Sequence, residues 1–262
     1  MTINFKESAN FIWGIADLLR GDYKQSEYGR VILPLTVLRR LDCVLEPTKE
    51  TVLSYLHQTK GLSPEAAETV LKKKAKLSFY NKSKFDFQKL VADPNDIAAN
   101  LRNYINGFSK NARSILEHFN FDDHIERLDK SNLLYMVTKR FAEVDLHPDK
   151  IQNIDMGYIF EELIRKFADL SNETAGEHFT PREVIRLMVN ILFLNDKEIL
   201  TKKGIVKTLY DPACGTGGML SVAEEYLREL NPDADLRVFG QELNPRHSGH
   251  LPNYYKIQEL IN

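Results

Sequence analysis

The eight residues from Asp211 to Gly218, DPACGTGG, have the composition of a ligand-binding turn. An apolar run, Ile205 to Tyr210, precedes them, and an amphipathic run, Met219 to Leu230, follows them. This order predicts a strand, a glycine turn and a helix. Parallel α/β sheets use such a unit to hold a nucleotide-like cofactor, because glycines let the backbone approach the ligand and the helix N-terminus offers N–H groups without intrahelical partners.

A second strand and an acidic residue follow the same helix. Asn231-Pro232-Asp233 predicts a turn, Leu236 to Gly240 predicts the strand, and Glu242 stands at its C-terminal end. In a doubly wound sheet a carboxylate at this place accepts hydrogen bonds from both hydroxyls of a ribose. The order of elements therefore favours a cofactor that contains a ribose.

The glycine turn by itself is also compatible with a structural turn in another α/β protein. The pair Asp211-Pro212 ahead of the turn and Glu242 behind it favour a cofactor site. The spacing GxGxxG of dinucleotide-binding turns is absent from Gly215 to Gly218, so S-adenosylmethionine is favoured over a dinucleotide.

A polar stretch, Ser171 to Thr180, leads into another predicted helix ahead of the glycine turn. Thr180 is the predicted N-cap, Pro181 takes the first helical position, and Glu183 completes a capping box. We expect this helix to run to about Leu194. The apolar positions that define it are Val184, Leu187, Met188 and Ile191.

The first half of the chain is predicted to be all-α, because residues 1–145 contain no alternating β-branched run. Helical spacing occurs in seven stretches: Asn10–Leu19, Leu33–Leu45, Ser63–Leu71, Asp96–Phe108, Asn111–Phe119, Leu133–Val144 and Asp155–Leu170. In the second stretch Arg39, Arg40 and Asp42 fall off the apolar face. His147-Pro148-Asp149 is the predicted joint between two domains, because proline ends helices.

The composition indicates an ordinary globular protein, with 43% hydrophobic and 27% charged residues among 262. No run has the roughly 18 apolar residues of a membrane span, and Met1 to Gly21 does not resemble a signal peptide. Cys43 and Cys214 lie far apart, which suits a reducing cytoplasm. The net charge of −2 leaves contact with DNA to a local patch or a partner subunit.

One basic cluster has two interpretations. It comprises Lys72, Lys73, Lys74, Lys76, Lys82 and Lys84, interleaved with Phe79, Tyr80 and Phe85. Such a mixture can follow a nucleic-acid backbone. We favour a solvated helix end, followed by a loop whose aromatic residues dock on the core.

Four segments together resemble the modification (M) subunit of type I restriction-modification systems, an adenine-specific DNA methyltransferase. They are VILPLTVLRRLDCVLE (31–46), AGEHFTPREVI (175–185), DPACGTGGML (211–220) and GQELNP (240–245). The resemblance implies an all-α N-terminal domain (1–147), then the start of an α/β Rossmann-like S-adenosylmethionine-dependent methyltransferase domain (148–245) with an incomplete sheet. It also implies a complex with the specificity (S) subunit, a second M subunit, the restriction (R) subunit and double-stranded DNA.

The resemblance places the S-adenosylmethionine site on three segments. The implied residues are Glu177, His178, Phe179, Thr180, Pro181, Arg182, Asp211, Gly215, Thr216, Gly217, Gly218 and Glu242. Asp211 is expected near the ammonium group of the cofactor. His178 is equally compatible with a loop hydrogen bond and with a chemical role, and Cys214 is expected to fill space rather than to act as a nucleophile.

The chain departs from the family pattern after Glu242. Family members there carry Asn-Pro-Pro followed by Phe or Tyr, which receives a flipped adenine, whereas Asn231-Pro232 and Asn244-Pro245 precede Asp and Arg here. We therefore name no catalytic residue and expect no methylation by this chain alone. We interpret residues 246–262 as an atypical tail of a truncated product.

Two further alternatives concern the tail and the chain as a whole. His247 and His250 are an incomplete metal pair, since no further ligands lie near them in sequence, and we expect no metal site. A second function remains open: a non-catalytic interaction module whose helical half docks the specificity subunit or DNA.

Overall fold

The computed structural model describes residues 5–171, 180–196, 200–214 and 217–241. These residues belong to two compact units, with 5–171 in the first and 180–241 in the second.

The described part of the first unit is helical. Its α-helices are α1 (Phe5–Gly14), α2 (Tyr28–Leu45), α3 (Lys49–Tyr55), α4 (Pro64–Ala75), α5 (Phe87–Val91), α6 (Ile97–Asn106), α7 (Lys110–Glu117), α8 (Phe121–Lys130), α9 (Leu134–Glu143) and α10 (Asn153–Ser171). Short 3-10 helices occupy Ile15–Leu19, Gln25–Glu27, Glu46–Thr48 and Leu56–Thr59. Isolated bridges apart, residues 5–171 contain no β-strand, so the all-α prediction is confirmed.

A local sequence signal explains the start of α4. Ser63 caps α4 as predicted, because its Oγ accepts a hydrogen bond of 3.2 Å from the Ala66 N–H, and Pro64 takes the first helical position. Helices α3, α5 and α8 were not predicted. In α8 the buried residues Phe121, Ile125 and Leu128 have helical spacing among seven polar positions.

Arg39, Arg40 and Asp42, which the sequence places off the apolar face of α2, are nevertheless buried. Helix α2 is buried on nearly all sides, and these three residues are 8%, 3% and 8% exposed. The Asp42 carboxylate accepts hydrogen bonds from Arg39 Nη1 at 2.6 Å and from the Tyr104 hydroxyl at 2.8 Å. Burial raises the pKa of Asp42, and the hydrogen bond from Tyr104 and the charge of Arg39 oppose that rise. The charges are tolerated inside because each has a partner.

Arg40 binds the chain that leads into α10. Its guanidinium donates to the carbonyl oxygens of Leu146 and Ile151, the latter at 2.8 Å, and to Asn153 Oδ1 at 2.8 Å. Residues 146–153 are therefore hydrogen-bonded to α2, and α10 itself packs on α1, with the rings of Trp13 and Phe167 5.2 Å apart. The domain boundary between residues 147 and 148 stays a prediction.

The described part of the second unit has a parallel two-stranded sheet, β1 (Val206–Asp211) and β2 (Asp235–Gly240). Helix α11 (Arg182–Phe193) precedes β1, and helix α12 (Gly218–Leu230) connects the two strands. The hydrophobic core of this unit contains Ile185, Val189, Phe193, Leu200, Val222, Ala223 and Leu227. The predicted order of strand, turn, helix and strand is thus present.

Candidate cofactor site

The two strands end together at one edge of the sheet. The register pairs Asp211 with Gly240, the last residues of β1 and β2. Beyond this pair, the Gln241 N–H donates to the Asp211 carbonyl oxygen, and the Cys214 N–H donates to the Gln241 carbonyl oxygen, both at 2.9 Å. The turn after β1 is therefore joined to the chain directly ahead of Glu242.

The backbone of the glycine turn is tight. Asp211 Oδ1 accepts a hydrogen bond of 3.0 Å from the Ala213 N–H, and the Gly217 N–H donates to the Cys214 carbonyl oxygen at 2.7 Å. Gly217 has φ of 81°, a left-handed conformation that favours glycine. Helix α12 begins at Gly218, and its N-cap residue, Gly217, has no side chain to cap it, so the first N–H groups suit an anionic group of a ligand.

Only part of the predicted cofactor set lies in the described residues. Thr180, Pro181 and Arg182 are placed at the start of α11, and Asp211, Gly217 and Gly218 at the sheet edge. The remaining six lie outside the described residues: Glu177, His178, Phe179, Gly215, Thr216 and Glu242. The cofactor set as a whole stays a prediction.

The predicted capping box at Thr180 is wrong. Helix α11 begins at Arg182, and Pro181 occupies the N-cap position with ψ of 139° and no side-chain cap. The first helical hydrogen bond runs from the Ile185 N–H to the Pro181 carbonyl oxygen, at 3.0 Å. The helix therefore starts one residue later than predicted, which leaves the exposed Thr180 outside it.

The apolar face that the sequence predicts for α11 is solvent-exposed. Val184, Leu187, Met188 and Ile191 are 46% to 62% exposed, whereas Ile185, Val189 and Phe193 pack in the core. The helix has apolar residues on both sides, and contact with α12 decides which side is buried. The prediction of an amphipathic helix was right about the element and wrong about its buried face.

Arg182 is electrostatically coupled to Glu225 of α12. Burial raises the pKa of Glu225, and the positive charge of Arg182 is the largest influence that lowers it. The positive charge of Arg182 on α11 therefore favours the ionised form of Glu225 on α12.

Sequence reasoning did not single out Gln241 and Tyr210. The Tyr210 hydroxyl donates to Gln241 Oε1 at 2.6 Å, next to the backbone bonds that join the turn and the strand end. Tyr210 directly precedes Asp211, and Gln241 directly precedes Glu242. This adjacency to two predicted cofactor residues is the sequence signal that could have identified them.

The structure favours the solvated interpretation of the basic cluster. Phe79 is 0% exposed, and Tyr80 packs against the small core of Val52, Leu71 and Ala75. Lys72 pairs with Glu68 at 2.6 Å, and Lys74 lies 3.7 Å from the ring centre of Tyr55. Phe79 is therefore not available to stack on bases, and Tyr80 docks on the core as the favoured interpretation expects.

The described part of the chain contains neither a clustered metal site nor a membrane span. No group of three His, Cys, Asp or Glu side chains there is placed to hold a metal ion. His247, His250 and the tail 246–262 lie outside this part of the chain, so their interpretation stays a prediction. None of the described helices is both long and apolar enough to cross a bilayer.

Parallel strands joined by a glycine turn and a helix define an α/β unit of the class that binds nucleotide-like cofactors. Comparison with known families shows to which family within this class the chain belongs. The chain belongs to the family of the HsdM N-terminal domain, whose model matches residues 8–141, and the model of the N-6 DNA methylase matches residues 152–249. The resemblance to type I methylase subunits and the predicted fold class are confirmed.

Similar proteins carry corresponding names. The type I restriction enzyme MjaIX methylase subunit of Methanocaldococcus jannaschii is 26% identical over 261 aligned residues, which cover 91% of this chain and 43% of that protein. The EcoEI methylase subunit of Escherichia coli is 31% identical over 160 residues, 60% of this chain and 30% of the relative. The chain thus spans less than half the length of these relatives.

A solved structure has the same fold. The type I restriction-modification system methyltransferase subunit from Streptococcus thermophilus superposes with a TM-score of 0.68 at 21% identity. The superposition covers 98% of this chain and 57% of that one.

Proposed function

We propose that this chain supplies the S-adenosylmethionine-binding part of a type I, adenine-specific DNA methylase. The methyl group goes from the cofactor to the exocyclic amine of adenine in double-stranded DNA. The observation that supports this most directly is the meeting of Asp211, the glycine turn and the residue before Glu242 at one edge of a parallel sheet.

Each segment has a chemical task in this proposal. The uncapped start of α12 and the left-handed Gly217 allow close approach of an anionic ligand group to backbone N–H groups. One oxygen of Asp211 accepts the Ala213 N–H, and the carboxylate charge attracts the cofactor's ammonium group. Glu242 accepts hydrogen bonds from ribose hydroxyls, and residues 177–182 surround the methionine end.

We also propose that the 262 residues alone do not transfer the methyl group. The motif Asn-Pro-Pro followed by an aromatic residue, which receives the flipped adenine in the family, does not occur among them. Without that motif the amine is not positioned against the methyl group, and correct positioning of two reactants can lower a barrier by about 7–11 kcal/mol.

The partners follow from the family. We propose assembly in the cytoplasm with a specificity subunit, a restriction subunit and a second methylase subunit on double-stranded DNA. Target recognition belongs to the specificity subunit in this arrangement, which agrees with the net charge of −2 on this chain.

Calorimetric titration with S-adenosylmethionine tests the cofactor proposal. We expect saturable binding by the wild-type chain, loss of binding in Glu242→Ala, and no change in Glu229→Ala, a matched carboxylate that is exposed on α12. No binding by the folded wild-type chain contradicts the proposal. If the same chain then binds a purified specificity subunit or DNA, the interaction-module alternative is supported.

A transfer assay tests the proposed inactivity. The purified 262-residue protein is incubated with methyl-labelled S-adenosylmethionine and double-stranded DNA, and we expect no label in the DNA. Labelled N6-methyladenine in the digested DNA contradicts this expectation.

A further inference from the structure

Gly240, the last residue of β2, has no room for a side chain. A Cβ atom built there lies 2.8 Å from Cys214 Sγ, 3.0 Å from Cys214 Cβ and 3.0 Å from Leu220 Cδ1. The contact with Cys214 Sγ requires that side chain to shift, and the two contacts at 3.0 Å require Cys214 and Leu220 to move by a few tenths of an ångström. Cys214 belongs to the glycine turn and Leu220 to the first turn of α12, so the strand end touches both.

The backbone around this contact is held from both sides. The Gln241 carbonyl oxygen accepts the Cys214 N–H, and the Gln241 N–H donates to Asp211, both at 2.9 Å. The hydroxyl of Tyr210 adds a side-chain bond to Gln241 at 2.6 Å. These bonds form only while the turn lies directly against the strand end, because hydrogen bonds weaken steeply with distance and angle.

We propose that Gly240 is a positioning residue for the cofactor site: its missing side chain lets Cys214 pack against the end of β2 and fixes the start of the glycine turn relative to Gln241, the residue before Glu242. This inference rests on the proposed cofactor function. Residues 214 and 241 directly precede the predicted ligands Gly215 and Glu242, so a shift between them separates two parts of one pocket.

Alkylation of Cys214 tests the packing without any cofactor. Burial raises the pKa of Cys43 to about 11, so its thiol reacts slowly, whereas Cys214 is half-buried and serves as the reporter. Iodoacetamide labelling, resolved by peptide mass spectrometry, is expected to be severalfold faster at Cys214 in Gly240→Ala than in the wild type. The control is Gly14→Ala, because a Cβ at Gly14 has nothing within 4 Å.

Calorimetry with S-adenosylmethionine tests the positioning role. Gly240→Ala is expected to raise the Kd about tenfold at a temperature where the protein is fully folded. The double variant Cys214→Ala with Gly240→Ala removes the shortest contact and is expected to recover at least part of that loss. A purely structural role lowers the Tm of Gly240→Ala and leaves the Kd of the folded protein unchanged.

The outcomes separate this inference from the proposed function. A wild-type chain without S-adenosylmethionine binding overturns both. Wild-type binding with an unchanged Kd in Gly240→Ala overturns the positioning role alone. An unchanged alkylation rate or a double variant without recovery overturns the packing explanation. If Gly240→Ala does not fold, Cys214→Val tightens the same contact from the opposite side, and an unchanged Kd in that variant overturns the proposal.

Discussion

The Tyr104 hydroxyl donates a hydrogen bond of 2.8 Å to Asp42 Oδ1 in the centre of the helical unit. Both side chains are buried, and the other carboxylate oxygen of Asp42 accepts Arg39 Nη1 at 2.6 Å and the Phe87 N–H at 3.3 Å. A single carboxylate thus joins α2, α5 and α6.

Substitutions at this carboxylate are predicted to differ in severity. Tyr104→Phe keeps the ring packing and loses one hydrogen bond to a charged group, so we expect a loss of about 1.5–3 kcal/mol in the free energy of unfolding. Asp42→Leu leaves Arg39 buried without its partner, and we expect about 3–5 kcal/mol. Urea unfolding of each variant measures the difference. The control is Arg39→Met with Asp42→Leu, which is expected to be more stable than Asp42→Leu alone; equal losses would contradict the pairing.

Arg40 is predicted to keep the segment 146–153 closed to proteases. Arg40→Met removes the donors to Leu146, Ile151 and Asn153 and preserves most of the side-chain volume. We expect faster cleavage within 146–153, because local opening requires fewer bonds to break. Limited proteolysis with mass spectrometry locates the cuts. Arg30→Met, at an exposed position of the same helix, is the control and is expected to match the wild type.

Lys49 is predicted to make stability depend on pH in the alkaline range. Burial lowers the pKa of Lys49 to about 8, so between pH 8 and the usual lysine value the unfolded chain keeps a proton that the folded chain releases. The contribution of Lys49 to the free energy of unfolding therefore rises with pH above 8, and this gain is lost as the pH falls through 8. We expect this rise to be about 1 kcal/mol from pH 8 to 9, and to be absent in Lys49→Met.

Urea unfolding at pH 7, 8 and 9 measures the Lys49 contribution as the difference between wild type and variant. In Lys49→Met the Asn81 Oδ1 atom still accepts the Ser83 N–H at 2.8 Å, so no acceptor is left unpaired. Lys73→Met, at an exposed lysine of α4, serves as the control. A difference between wild type and Lys49→Met that stays constant across the three pH values contradicts the prediction.

The buried face of α11 is tested by two matched truncations. Val189 is 0% exposed and Leu187 is 61% exposed. Val189→Ala is expected to destabilise the second unit by about 2 kcal/mol, and Leu187→Ala by less than about 0.5 kcal/mol. Hydrogen exchange of α12 peptides reports on this unit separately from the helical one. If Leu187→Ala destabilises the unit more than Val189→Ala does, the buried face of α11 is the one that contains Leu187, as the sequence suggested.

Short-range signals in the sequence predicted many elements correctly. Ser63-Pro64 marked the start of α4, and Ile159, Leu163 and Phe167 marked α10, because capping and helical spacing act within a few residues. Helix α8 escaped prediction because its three buried positions are diluted by charged residues, including Asp122 and Asp123. Such a helix depends on tertiary packing more than on its own pattern.

The sequence by itself determined the two-part organisation, the order of strand, glycine turn, helix and strand, and the family. Those properties depend on local residue types, periodicity and motif spacing. Only the tertiary structure decided that Arg39, Arg40 and Asp42 lie inside, since their partners come from positions far along the chain. It also decided which face of α11 is buried. It also showed that Cys214 of DPACGTGG packs against Gly240. These two residues are 26 positions apart and come into contact only when the parallel strands pair.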